Sequence, residues 1–156
     1  MKKTYTCSFF GHRDSPAEIY QLIRKQIERL ISEENTRLFY FGGYSRFDAM
    51  AARAANSLKK EYPFIKLIYV TPYIERLETY DEYIENNFDG SLYPHGLEFV
   101  HRKYAISFRN RWIADNSDFM IAYVKHEYGG AFQAMKRAAN NGVHVFNIAC
   151  TKDDMD

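Results

Sequence analysis

The chain has 156 residues, 46% of them hydrophobic and 26% charged, a globular balance long enough to bury a sizeable core as one domain. Its 21 basic and 20 acidic side chains leave a net charge of +1, so no strongly basic nucleic-acid footprint is present, although a local basic patch stays open.

Two cysteines, Cys7 and Cys150, lie near opposite ends without CxxC spacing, which suits a reducing, cytoplasmic setting. The stretch MKKTYTCSFFGHR lacks the apolar region of a signal peptide, and no run is long enough to span a bilayer. A cytoplasmic protein without membrane segments is expected. Residues 1–150 read as a single domain and 151–156 as a polar, frayed tail.

In chain order, TYTCSFFG (4–11) predicts a first strand. Residues 14–34 predict an amphipathic helix with Ile19, Leu22, Ile23, Ile27, Leu30 and Ile31 at helical spacing. Ser15 as N-cap, Pro16 at the first helical position and Glu18 three residues past the cap would start it. TRLFYFGG (36–43) predicts a second strand ending in glycines. Residues 45–62 predict a helix with Phe47, Met50, Ala51, Ala54, Ala55 and Leu58 on one face, opened by a capping box of Ser45 and Asp48.

FIKLIYVTPY (64–73) predicts a third strand. Residues 74–88 read as a helix, 89–96 as a loop, and LEFVHR (97–102) as a fourth strand. Residues 103–117 predict a helix with Tyr104, Phe108 and Trp112 four apart, Trp112 serving the core. DFMIAYV (118–124) predicts a strand, 129–142 a glycine-opened helix and 143–149 the last strand. Alternation of strands and helices predicts an α/β, Rossmann-like open and mostly parallel sheet with helices on both faces. The continuously apolar strand cores fit that arrangement.

In such a sheet, ligands bind beyond the carboxyl ends of the strands. The residues to watch are Gly11, His12 and Arg13 after the first strand; Gly42, Gly43, Tyr44, Ser45, Arg46 and Asp48 after the second; Thr71, Pro72 and Tyr73 after the third; and Gly129 and Gly130 after DFMIAYV. Two glycine pairs open onto helix N-termini, where free N–H groups suit phosphate. Glycine allows close approach of an anion to backbone. Arg13, Arg46 and Arg109 or Arg111 could add charge-assisted bonds. The two helical arginines point about 200° apart, so at most one of them faces the site.

Each feature also has a plain alternative. A glycine pair is a common turn, Asp48 a cap residue, and His12 a hydrogen-bonded structural histidine. The five histidines show no HxxxH or HxxEH spacing and the cysteines do not pair, so neither a metal site nor a cofactor is indicated. GxSxG, GxxxxGK[ST] and GxGxxG are all missing.

SFFGHR, FGGYSRFDAMAARAA, RNRWIADNSDFMIAYV and GGAFQAMKRAANNGVHVFNI together resemble the SLOG superfamily, which groups the DNA-processing DprA/Smf proteins with the LOG phosphoribohydrolases, and within it the YpsA-like branch. The resemblance covers about residues 4–149. It implies a Rossmann-like sheet binding a nucleotide or an ADP-ribose-like ligand at the glycine rim, and commonly a homo-oligomer such as a dimer. In the LOG branch a PGGxGTxxE motif supports cleavage of the base–ribose bond. Here the matching stretch is YGGAFQAM, with Gly129 and Gly130 in place, Ala131 next, and no glutamate at Gln133 or Ala134.

Three functions follow. The first is binding or sensing of a nucleotide-like small molecule at Gly11, His12, Arg13, Gly42, Gly43, Ser45, Arg46, Asp48, Thr71, Arg109, Gly129 and Gly130. The second is a nucleotide N-glycosidase with Asp48 as the best catalytic carboxylate, ahead of Glu98 and Asp115. The third is single-stranded nucleic-acid binding by aromatic stacking, which the near-zero net charge disfavours.

Overall fold

The computed structural model describes residues 2–43 and 45–149, so the expected 151–156 tail, Cys150 and Tyr44 lie outside the described residues. Six strands form one sheet: β1 (Tyr5–Gly11), β2 (Thr36–Phe41), β3 (Lys66–Val70), β4 (Gly90–Leu92), β5 (Phe119–Tyr123) and β6 (His144–Asn147). Their spatial order is β4-β3-β2-β1-β5-β6, and every neighbouring pair is parallel.

The helices are α1 (Tyr20–Glu33), α2 (Arg46–Leu58), α3 (Glu75–Glu78), α4 (Glu82–Asn87), α5 (Ala105–Asp115) and α6 (Gly130–Asn140). Strand side chains alternate between two apolar clusters. Cys7, Phe9, Phe39, Phe41, Leu67 and Ile121 pack with Ile23, Ile27, Ala51 and Leu58 of α1 and α2. Phe10, Val70, Met120 and Ala122 pack with Ile113 of α5 and with Ala134 and Ala138 of α6. Helices therefore cover both faces, as the apolar strand cores require. Burial of this apolar surface, at about 25 cal/mol per Å², drives the assembly.

Strand order reverses between β1 and its neighbour β5, which opens a crevice beyond their carboxyl ends. The expected apolar face of α2 is fully buried. That of α1 is buried except for Leu22, which stands 47% exposed.

Three local expectations are corrected. LEFVHR is not a strand: Leu97–Phe99 and Arg102–Tyr104 are 3₁₀ turns, and the fourth strand is Gly90–Leu92 inside the expected loop. Three residues beginning with glycine carry almost no β pattern, and only pairing with β3 makes them a strand. Residues 74–88 do not form one helix. The chain is extended at Thr79, and Asp81 caps a new helix by accepting from the Ile84 N–H at 3.2 Å.

Ser15 is not an N-cap. Its buried hydroxyl donates to the His12 carbonyl at 2.6 Å, Pro16 is extended, and α1 is entered through a 3₁₀ turn at Ala17–Ile19. The buried residues of α5 are Ala105, Arg109, Ile113 and Ala114, and Trp112 packs, partly buried, against the cluster of Ile113 and Ala114 as expected. Tyr104 is exposed, and Trp112 packs its edge on Tyr40 with ring centroids 5.3 Å apart.

Candidate functional site

A cavity of about 950 Å³ lies over the β1/β5 crevice. Four chain segments build it. The end of β1 supplies Phe9, Phe10, Gly11, His12, Arg13 and Asp14. The β2–α2 turn supplies Gly42, Gly43, Ser45, Arg46 and Asp48. Arg109 and Asn110 come from α5, and His126, Tyr128, Gly129, Gly130 and Ala131 come from the β5–α6 loop and the start of α6. Pro72 and Tyr73 do not line this cavity, and of the ligand-binding residues expected from the sequence every one lines it except Thr71. That side chain is fully buried, accepting from the Tyr73 N–H and donating to the Tyr73 carbonyl, each at 3.1 Å, to shape the turn after β3.

The two glycine pairs differ in their physical roles. A Cβ on Gly42 would stand 3.0–3.1 Å from Ile113 and the Arg109 guanidinium, and one on Gly43 would stand 2.6 Å from Asp48 Oδ2. These glycines make room for side chains of the protein itself. Gly11 does the same for Phe47, whose ring would lie 2.2 Å from an added Cβ. Gly129 instead has φ 94° and ψ 171°, a backbone geometry that is essentially glycine-only. Gly130 faces open space, the nearest atom to an added Cβ being Asn110 Nδ2 at 3.7 Å.

Asp48 closes a capping box at the head of α2. Ser45 Oγ accepts from the Asp48 N–H at 3.3 Å and donates to Asp48 Oδ2 at 2.5 Å. Burial pushes the Asp48 carboxyl above the usual carboxylate range, although the Ser45 bonds and the Arg109 charge pull the other way. Of the three carboxylates considered for chemistry, Asp48 alone lines the cavity. Glu98 accepts from the Gly96 N–H at 3.1 Å in a turn outside it. Asp115 is held by Arg137 through two bonds of 2.7 and 2.8 Å.

The helical arginine that faces the site is Arg109. It is 6% exposed and donates to the carbonyls of Gly42 and Val70 and to Asn110 Oδ1. Burial lowers its pKa, yet a guanidinium keeps its proton. Arg111 is exposed on the other side of α5. Arg13 and Arg46 are exposed at the cavity, with no ion-pair or hydrogen-bond partner among the described residues.

α6 begins at Gly130 with no side chain capping its first turn, so its leading N–H groups remain available at the cavity. Asn110, His126 and Tyr128 are lining residues that the motifs did not point to. The His126 ring stacks on Tyr128 with centroids 5.1 Å apart and meets the His12 ring at 4.5 Å, tilted by 33°. Their signal in the sequence is slight, since KHEY follows β5 as an ordinary polar loop. Among the described residues no cluster of three or more His, Cys, Asp or Glu could hold a metal ion, and no helix is long and apolar enough to cross a membrane.

The family model described as YspA SLOG family matches residues 2–152. The UPF0398 protein YpsA of Bacillus subtilis is 28% identical over 147 residues, covering 85% of this chain and 81% of that protein. UPF0398 proteins of Bacillus velezensis and Bacillus pumilus are 27% and 24% identical, each over 92% of this chain and over 84% and 81% of their own length. Among solved structures, DNA processing protein A from Helicobacter pylori, described for its single-stranded DNA binding mode, superposes with a TM-score of 0.64 at 18% identity. The match covers 92% of this chain and 64% of that one, and it shows a shared fold.

Proposed function

Since the chain belongs to the YspA SLOG family, we propose that it binds or senses a nucleotide or nucleotide-derived, ADP-ribose-like ligand in the cavity beyond β1 and β5. One observation carries this reading. The uncapped N-terminus of α6 opens at Gly129-Gly130 onto a cavity that also holds Arg13 and Arg46, which have no partner among the described residues. Helix N–H groups, the helix dipole and two guanidinium groups are what a phosphate needs. A volume of about 950 Å³ admits a nucleotide.

Binding is preferred to catalysis because the first turn of α6 carries no acidic residue, and because Asp48 is disfavoured as an anion by burial. A carboxylate that stabilises an oxocarbenium-like transition state must be ionised. Single-stranded nucleic acid is the second reading. The likeness to DNA processing protein A and the aromatic rings of His12, His126 and Tyr128 clustered at the cavity support it.

The test is a thermal-shift panel of AMP, GMP, CMP, UMP, ADP-ribose, NAD and cyclic ADP-ribose. A ligand at about 100 times its Kd adds roughly 2.7 kcal/mol of stability, which raises Tm by about 2–4 °C per kcal/mol. A shift with one compound supports the reading, and that compound is then assayed for base release. No shift across the panel removes it and brings nucleic acid to the front.

A further inference from the structure

His12 sits just past β1, and its ring holds a segment 113 residues away. Nε2 accepts the backbone N–H of Lys125 at 2.9 Å and that of His126 at 3.1 Å. The His12 N–H donates to the Tyr123 carbonyl at 3.1 Å, which fixes the histidine to the end of β5. Asn147 holds the root of the same loop through the N–H and carbonyl of Val124, at 3.0 and 2.9 Å. Among the described residues no other hydrogen bond reaches residues 125–128. Those residues lead directly into Gly129-Gly130 and the open end of α6.

We infer that His12 is a positioning residue: neutral, with its proton on Nδ1, it anchors the β5–α6 loop so that the α6 N-terminus faces the anion, and protonation frees that loop. An imidazolium has two N–H donors and no lone pair, so one proton removes both bonds together. The consequence for binding rests on the anion-site reading above, whereas the anchor itself can be observed without any ligand.

The groups around the ring set the balance. Asp14, on the same turn, favours the cation, and His126 from the facing loop opposes it. Lys125 and Tyr128 belong to that loop, while Arg46 and Asp48 of α2 and Arg109 of α5 line the shared cavity. Burial, reinforced by His126, lowers the His12 pKa from its ordinary 6.5, so the anchored form prevails at neutral pH.

The experiment uses the ligand-free full chain labelled with ¹⁵N, at about pH 8 and about pH 5, the range over which histidine charge changes. It compares wild type with His12→Gln, whose amide oxygen accepts without titrating, and His12→Phe, which cannot accept. The inference expects an Nδ1–H tautomer at the higher pH. It also expects amide exchange protection at Lys125 and His126 that falls by about tenfold or more at the lower pH while β1 and β5 stay protected. His12→Gln should keep that protection at both pH values, and His12→Phe should lose it at both. Protection insensitive to pH, or surviving His12→Phe, overturns the anchor.

Sulfate, which keeps its charge across this range, is then titrated into the same three proteins. Affinity that falls about tenfold on acidification in wild type and stays level in His12→Gln supports the positioning role. Sulfate binding indifferent to His12 overturns it. If sulfate fails to bind while the amide pattern holds, the anion-site reading fails and the anchor stands.

Discussion

The Arg109 guanidinium donates from Nη1 to the carbonyl oxygen of Gly42, sixty-seven residues earlier in the chain, and the same nitrogen reaches the Val70 carbonyl at 3.0 Å. It thereby joins the carboxyl ends of β2 and β3 from a helix on one face of the sheet. Carbonyls at strand ends have no further strand partner, and buried ones are costly unless paired.

Arg109→Met should therefore lower stability by about 2–4 kcal/mol, since it strands two buried acceptors. Urea unfolding measures it. Arg109→Lys should recover only part of the loss, because a single ammonium replaces two separate donors, Nη1 on the two carbonyls and Nε on Asn110 Oδ1. A loss under about 0.5 kcal/mol for Arg109→Met would mean that water replaces the guanidinium, and that Arg109 is not the brace described.

The glycines provide a second comparison. Gly11→Ala forces a methyl into the Phe47 ring, which is fully buried, and should cost about 1–3 kcal/mol or more. Gly130→Ala meets nothing closer than 3.7 Å and replaces a helical glycine, so stability should hold or rise by about 0.5–1 kcal/mol. Its methyl nonetheless stands over the leading N–H groups of α6, so affinity for the compound found in the thermal-shift panel should fall. Unchanged affinity in a folded Gly130→Ala protein would remove the α6 N-terminus from the site.

Asp48→Asn separates burial from charge. The folded pKa of Asp48 lies above its ordinary 3.8, so its contribution to stability is present below that pH and lost as pH rises through the folded value. The Tm of Asp48→Asn relative to wild type should accordingly climb as pH rises from about 3.8, then level off. A difference that narrows with rising pH would show that the Arg109 charge outweighs the desolvation of the carboxylate.

Salt dependence distinguishes the two ligand classes. A mononucleotide neutralised by Arg13, Arg46 and helix N–H groups should lose affinity modestly between about 50 and 200 mM salt. A single strand making about 6–10 phosphate contacts would lose roughly 10²–10⁴ over the same range. Fluorescence anisotropy with a labelled oligonucleotide decides it, and a steep slope would favour the nucleic-acid reading.

Period and punctuation in the sequence were enough to set the α/β alternation, the parallel sheet and the buried face of α2. Those features arise from residues within one or two turns of each other, where side-chain spacing and backbone preference act together. The carboxyl-end rim was legible for the same reason: in a parallel sheet every strand delivers its following turn to one edge, so Gly11, Gly42 and Gly129 had to converge.

Tertiary structure decided what each rim residue does there. Gly42 and Gly43 read as a turn that lets a ligand approach bare backbone, yet they yield space to Arg109 and Asp48, side chains that approach from α5 and α2. Thr71 sits in a turn after β3 that bends its hydroxyl back on the chain, out of the cavity. β4 exists only because β3 offers an unpaired edge. His12 finds its two amide donors 113 and 114 residues away. Such contacts leave no periodic trace, because the partners are set by how the sheet brings distant strand ends within hydrogen-bond reach.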